Sequence, residues 1–267
     1  MRENDILHSC AGYCRRCRTK HALPQGNARL KAIELKELLE QKKTIALWGR
    51  AGRAIPGAPQ LSTVPLFQDA RGKMFGVLEA LGTDGSIVWL YAFSGQYSGH
   101  WEIPGWSPPL FNVEHFKALN DPVEQQIKKL GRQIDAQPRG SESHWLLQQQ
   151  RRGLARRLMK DIHALYRLHN FRSDRQDLAP VIGTNGGIPT GTGDCCAPKL
   201  LNQAARKGLA PLSLAEFYFG RENRSHTRHH GHFYDPCTDK CSALLGFMLC
   251  GAAEKRSHYG KGNSYHS

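Results

Sequence analysis

Two stretches decide the fold: Asp194-Cys195-Cys196-Ala197-Pro198-Lys199-Leu200-Leu201 and, further on, Pro236-Cys237-Thr238-Asp239-Lys240-Cys241. Pro198 suits the first turn of a helix, where its missing N–H leaves no bond unmade. The helix is expected to run to about Lys207 and stop at Gly208. The second stretch opens an apolar helix over Ser242 to Leu249. Between them Leu212 to Phe219 reads as a strand, followed by a His-rich loop from Arg221 to His232. Upstream, Met74 to Leu81 and Ile87 to Phe93 are strand-like runs joined by Gly82-Thr83-Asp84-Gly85-Ser86, a hairpin signal. The order is hairpin, helix with thiols at its N-terminus, strand, and a second helix with thiols at its start. That predicts an α/β protein.

This order resembles the zinc deaminases, in which a His or Cys at one helix start and a PCxxC pair at the next hold one Zn²⁺. The resemblance implies a cytidine-deaminase-like three-layer core, with Cys195 or Cys196, Cys237 and Cys241 as ligands. Helix N-termini favour thiolates, and three protein ligands leave a fourth zinc position where bound water is acidified to near neutral pH. The deaminase signature also carries a Glu two residues after the first ligand. Here that position is Ala197 or Pro198, and the nearest acids are Asp194 and Glu216, so either is a candidate proton shuttle.

A second resemblance covers about residues 65 to 250. Gly72-Lys73-Met74-Phe75-Gly76-Val77-Leu78, Ala92-Phe93-Ser94-Gly95, Pro104-Gly105-Trp106-Ser107-Pro108-Pro109, Gly191 to Leu201, Ala215 to Gly220 and Phe233-Tyr234-Asp235-Pro236-Cys237 are similar to the N-terminal extension of long RluA-family pseudouridine synthases. More distantly they resemble toxin-type deaminases. That extension typically has Glu where Asp194 stands, which favours Asp194 over Glu216 as the functional acid. The His-Arg-Leu-Asp motif of the synthases does not occur, so the chain is not expected to make pseudouridine by itself. Two functions follow: zinc-dependent deamination of a base in RNA or a nucleoside, or a non-catalytic, zinc-stabilised RNA-binding module.

Near the N-terminus Cys10, Cys14, Cys17 and His21 form a Cys-x3-Cys-x2-Cys-x3-His cluster, with His8 an alternative fourth ligand. This is the spacing of a closed Cys₃His structural zinc site, a zinc knuckle. Arg15 and Arg16 between the ligands suit a nucleic-acid contact. An amphipathic helix is expected from Asn27 to Lys43, carrying Leu30, Ile33, Leu35, Leu38 and Leu39, followed by a Gly/Pro-rich stretch from Gly49 to Pro65. Cys250, on the apolar helix, reads as a core residue.

The organisation expected is therefore a knuckle and helix over residues 1–60, a deaminase-like domain over 61–250 and a loose polar tail over 251–267. A helical hairpin is inserted in the domain at 121–178, with helices over Pro122 to Ile134 and Trp145 to Leu168 around Pro138-Arg139-Gly140. From Arg139 to Arg175 nine Lys or Arg face three Asp or Glu. Arg151, Arg152, Arg156, Arg157 and Lys160 are concentrated there, and Arg152, Arg156 and Lys160 align at four-residue spacing as a stripe able to meet phosphates. A solvated helix face is the other reading of that stripe.

The 267 residues carry a formal charge of +14, with 40% hydrophobic and 22% charged residues, ordinary values for a folded domain. Charge of this sign points to nucleic acid, here RNA, as the partner. No apolar run approaches the ~20 residues that span a bilayer. The N-terminus lacks the pattern of a secretory signal, so a reducing, cytoplasmic setting is expected, where clustered cysteines bind metal rather than pair. The Gly183 to Gly193 loop lacks the ending of a phosphate-binding P-loop.

Overall fold

A computed structural model describes residues 9–47, 59–183 and 187–261. It is a mixed α/β structure. The strands are β1 (Ser9–Cys14), β2 (Thr19–Pro24), β3 (Lys73–Leu81), β4 (Ile87–Phe93), β5 (Arg167–His169), β6 (Arg175–Asp177), β7 (Ala210–Phe219) and β8 (Phe233–Tyr234). The helices are α1 (Gly26–Lys42), α2 (Val113–Asp135), α3 (Glu142–His163), α4 (Leu178–Ile182), α5 (Cys196–Arg206), α6 (Thr238–Met248) and α7 (Ala252–Lys261). The central sheet has the order β4-β3-β7-β8, every neighbouring pair antiparallel. His8, most of the Gly/Pro-rich stretch and part of the Gly183 to Gly193 loop lie outside the described residues.

Strand alternation sorts the sheet's side chains onto two faces. Phe75, Val77, Phe93, Ala215, Phe217 and Phe219 pack on one side with Ala28, Ala32, Leu35 and Leu39 of α1. Leu78, Ala80, Leu90, Ala92 and Leu214 pack on the other with Leu200 and Leu201 of α5 and with α6. The sheet is thus covered on both faces. The buried stripe of α1 runs through Ala28, Ala32, Leu35 and Leu39, and Leu30, expected on that face, is 63% exposed. Small alanines at the helix start let it approach the sheet. There Ser213 Oγ accepts from the Ala28 N–H and donates to the buried Glu79, whose other oxygen takes the Asn27 amide.

The expected helical hairpin is present with different boundaries. α2 begins at Val113, capped by Asn112 accepting from the His115 N–H, and passes through Pro122. A proline removes one N–H, and the long flanking turns hold the helix across it. Ser141 caps α3 in the same way. Of the C-terminal segment expected to be loose, Ala252–Lys261 form α7, with Ala252 buried and Arg256 donating to the Pro211 carbonyl, and residues 262–267 lie outside the described residues.

The N-terminal hairpin packs against the rest of the molecule. A Cβ on Gly12 would fall 2.1 Å from the Ser242 carbonyl oxygen, and one on Gly246 2.2 Å from the Tyr13 carbonyl carbon. These two glycines allow backbone-to-backbone contact between β1 and α6, where any side chain would separate them. One end of β1 therefore lies beside the start of α6 and the other beside its end.

Candidate metal centre and buried acid

Docking β1 along α6 assembles one group suited to a metal ion. Cys14, Cys17, His21 and Cys250 offer ligand atoms that all lie within 4.8 Å of one another. Cys14 ends β1, His21 projects from β2, and Cys17 sits in the turn between them, where Arg18 takes a left-handed φ of 56°. Cys250 arrives from just beyond the C-terminus of α6. Cys17 Sγ and His21 Nε2 are 3.0 Å apart. Burial opposes the Cys17 thiolate, yet hydrogen bonds from His21, Cys14 and the Thr19 backbone outweigh it and bring the thiol down to about 6. Burial, with the neighbouring Cys14, lifts Cys250 to about 12. Three sulfurs and one imidazole, with one thiolate already favoured, are a donor set that suits zinc.

The membership differs from the sequence expectation at one position. Cys250 stands where the spacing put Cys10, and Cys10, at the other end of β1, is buried beside Cys241 and Glu216. Cys250 is 1% exposed and looked like core because cysteine in an apolar helix behaves as a small hydrophobe. The signal that was present was its place near the end of the same helix that starts with Cys237 and Cys241.

At the start of α6 the second thiol set is only partly gathered. Cys195, the N-cap of α5, is hydrogen-bonded to Cys241, which together with burial drives its thiol upward. Cys196 points the opposite way, donating to the Met74 carbonyl oxygen at 3.3 Å. Cys237 is the half-buried N-cap of α6. Among the described residues these cysteines do not form a group as tight as the first.

The two candidate acids are separated by the fold. The β3–β7 register sets Glu216 opposite Gly76, on the face covered by α5. A Cβ on Gly76 would stand 2.7 Å from Cys196 Cβ and 3.4 Å from Glu216 Cγ, so the missing side chain is what admits both. Glu216 accepts the Ala197 N–H at 2.6 Å, at the N-terminus of α5. Burial raises its carboxyl to about 8, against the pull of that N–H, with Cys241 adding to the rise. Asp194 instead takes the Tyr166 hydroxyl at 2.6 Å. Burial raises its pKa, while Tyr166, Lys199 and His163 oppose the rise. Lys199 is fully buried and donates to the carbonyl oxygens of Phe93 and Gly95 at 2.9 and 2.6 Å. Burial lowers its pKa to about 8.

The basic residues singled out in the sequence are all at the surface. Arg151, Arg152, Arg156, Arg157 and Lys160 are exposed along α3, and Arg156 and Lys160 border a cavity of about 950 Å³ that His163 also lines. His163 Nε2 is the one buried side-chain polar atom among the described residues with no hydrogen-bond partner. Arg15 donates to the Gly183 carbonyl oxygen, and Arg16 pairs with Asp174 at 2.6 Å. Of the His-rich loop, His226 and His229 face Glu222 and His230 faces Glu40. Among the described residues no helix is long and apolar enough to cross a membrane. No family model, curated protein or solved structure matches the chain.

Proposed function

We propose that this protein is a zinc-dependent, deaminase-like enzyme acting on a base in RNA or a nucleoside. In this reading Cys14, Cys17, His21 and Cys250 would hold a structural ion, and Cys195, Cys237 and Cys241, which do not lie as close together among the described residues, would have to draw in to hold a second one. Glu216 is the proton carrier. The observation that supports it is the place of the Glu216 carboxylate, bonded to the N–H of Ala197, two residues after Cys195, and beside Cys241. The deaminase signature supplies its acid from that same point of the helix; here a neighbouring strand brings one to it. The order of β3–β4 hairpin, α5, β7 and α6, with helices on both faces of the sheet, is also the order expected for such a core.

Zinc at the second site would acidify water at its open position. Glu216, held in a fixed orientation by the Ala197 N–H and beside Cys241, would be the group placed to carry a proton toward the departing amino group. Asp194, Tyr166 and Lys199 hold the Gly95 loop against the start of α5, since the Gly95 N–H donates to the Asp194 carbonyl oxygen at 2.8 Å. In this reading Asp194 is a positioning residue.

The test is mass spectrometry of RNA and free nucleosides incubated with zinc-loaded protein. Conversion of cytosine to uracil or adenine to inosine is expected, reduced by about 10² to 10⁴ in Glu216→Gln with metal content unchanged. The absence of conversion by the wild-type protein overturns the reading. A non-catalytic, zinc-stabilised RNA-binding module is the second reading, favoured by the four protein ligands of the first group, which leave no open position.

A further inference from the structure

We propose that the cavity between the start of α2, the β5–β6 hairpin and the end of α5 binds the phosphate of a nucleotide or of an RNA backbone. This site lies apart from both cysteine groups and does not rest on the deaminase reading.

The cavity encloses about 610 Å³, a size usual for small-molecule sites. Pro108 to Phe111 form an apolar wall, and Arg167, Arg175, Arg206, His115 and His169 supply the polar side, against Glu102 as the one lining carboxylate. Arg167 is already engaged, paired with Asp177 at 3.0 Å and donating to the Ala164 and Tyr166 carbonyl oxygens. Arg175 and Arg206 are exposed and have no carboxylate within ion-pair distance among the described residues. They come from different elements, β6 and α5, and both stand near enough to His169 to oppose its protonation, after the larger effect of burial.

Asn202 supplies the buried floor. It is 3% exposed, and its Oδ1 is committed to His169, accepting from the backbone N–H at 2.9 Å and lying 3.3 Å from Nδ1. That fixes the carboxamide and leaves its NH₂ as the donor toward the cavity it lines. Two unpaired guanidinium forks plus a fixed amide offer more N–H groups than a carboxylate's two oxygens accept, and they suit the several oxygens of a phosphate. The first turn of α2, with Asn112 and His115 on the cavity, adds the positive end of a long helix.

Calorimetric titration of the zinc-loaded full chain with inorganic phosphate, AMP and a single-stranded hexaribonucleotide lacking terminal phosphates tests this. At least one probe is expected to bind, with affinity at least tenfold lower in R175E/R206E and in N202L. The two arginines are exposed, so R175E/R206E should keep the wild-type melting temperature, which separates lost binding from lost folding. Salt dependence should flatten by about two in the log–log slope. Binding of AMP assigns the site to a free nucleotide, and binding of the hexamer without AMP assigns it to the RNA backbone. The proposal is overturned if the wild-type protein binds none of the probes, or if R175E/R206E binds every probe as tightly as wild type. Zinc content and base conversion are read in the same preparations, so failure here leaves the deaminase reading standing, and failure of deamination leaves this site standing.

Discussion

Replacing Cys250 by serine or alanine separates the metal from the fold. Cys14, Cys17 and His21 lie within one hairpin and can hold an ion with little help from the rest of the chain, whereas Cys250 ties that hairpin to the end of α6. Metal bound by all four therefore closes a loop over nearly the whole chain. An ion bound by the folded chain and released on unfolding stabilises the fold by about 4 kcal/mol at a free-metal level a thousandfold above its dissociation constant. At roughly 2–4 °C per kcal/mol for a chain of this size, a variant that lost this binding should melt about 8–16 °C below wild type. Because Cys250 is buried, part of any loss comes from the substitution itself. Melting with and without a chelator isolates the rest, since the chelator should lower the wild type strongly and Cys250→Ala little. Elemental analysis should show weaker retention of one metal equivalent in Cys250→Ala and full retention of that equivalent in Cys10→Ser. If Cys10→Ser lost it and Cys250→Ala retained it with wild-type chelator sensitivity, the assembly of the site across β1 and α6 would be wrong.

Gly246→Ala should destabilise the protein by about 3 kcal/mol, because its methyl group would meet the Tyr13 backbone at 2.2 Å; denaturant titration at unchanged m-value reads it. Lys199 provides a pH signature. Its folded pKa of about 8 lies below the unfolded 10.5, so between those values the unfolded chain holds a proton that the folded one has released, and stability rises with pH there. Relative to Lys199→Met, which does not titrate, wild type should gain stability from pH 8 to 10, and a pH-independent difference would remove the argument. Charge reversal at Arg152 and Arg156 should weaken RNA binding and reduce its log–log salt slope by about two, measured by fluorescence titration. An unchanged slope would leave α3 as a solvated face.

Much of the architecture was legible because it rests on local pattern. The short apolar runs Met74 to Leu81 and Ile87 to Phe93, joined by the Gly82 to Ser86 turn, yield the β3–β4 hairpin almost residue for residue. Pro198 and Gly208 bracket α5 within a residue or two. Two local readings failed for different reasons. Pro122 reads as a helix start, but another local signal, the Asn112 cap, starts α2 well before it. Leu30 reads as core, but the close approach of α1 through Ala28 and Ala32 turns it to solvent.

For the sites, the inventory is written in local order along the chain: which thiols, imidazoles and acids exist, and that most of them sit at helix starts or in one short hairpin. Their partnerships were decided by the tertiary structure. Gly12 and Gly246 lay β1 along α6, and that contact gives Cys14 to Cys250 and leaves Cys10 with Cys241. The β3–β7 register brings Glu216 to Ala197, and the Tyr166 hydroxyl draws Asp194 aside. Spacing along a chain constrains ligands within a few residues, since the backbone between them has few conformations. Ligands at positions 14 and 250 are related only through the packing of everything between them, and no local periodicity records it.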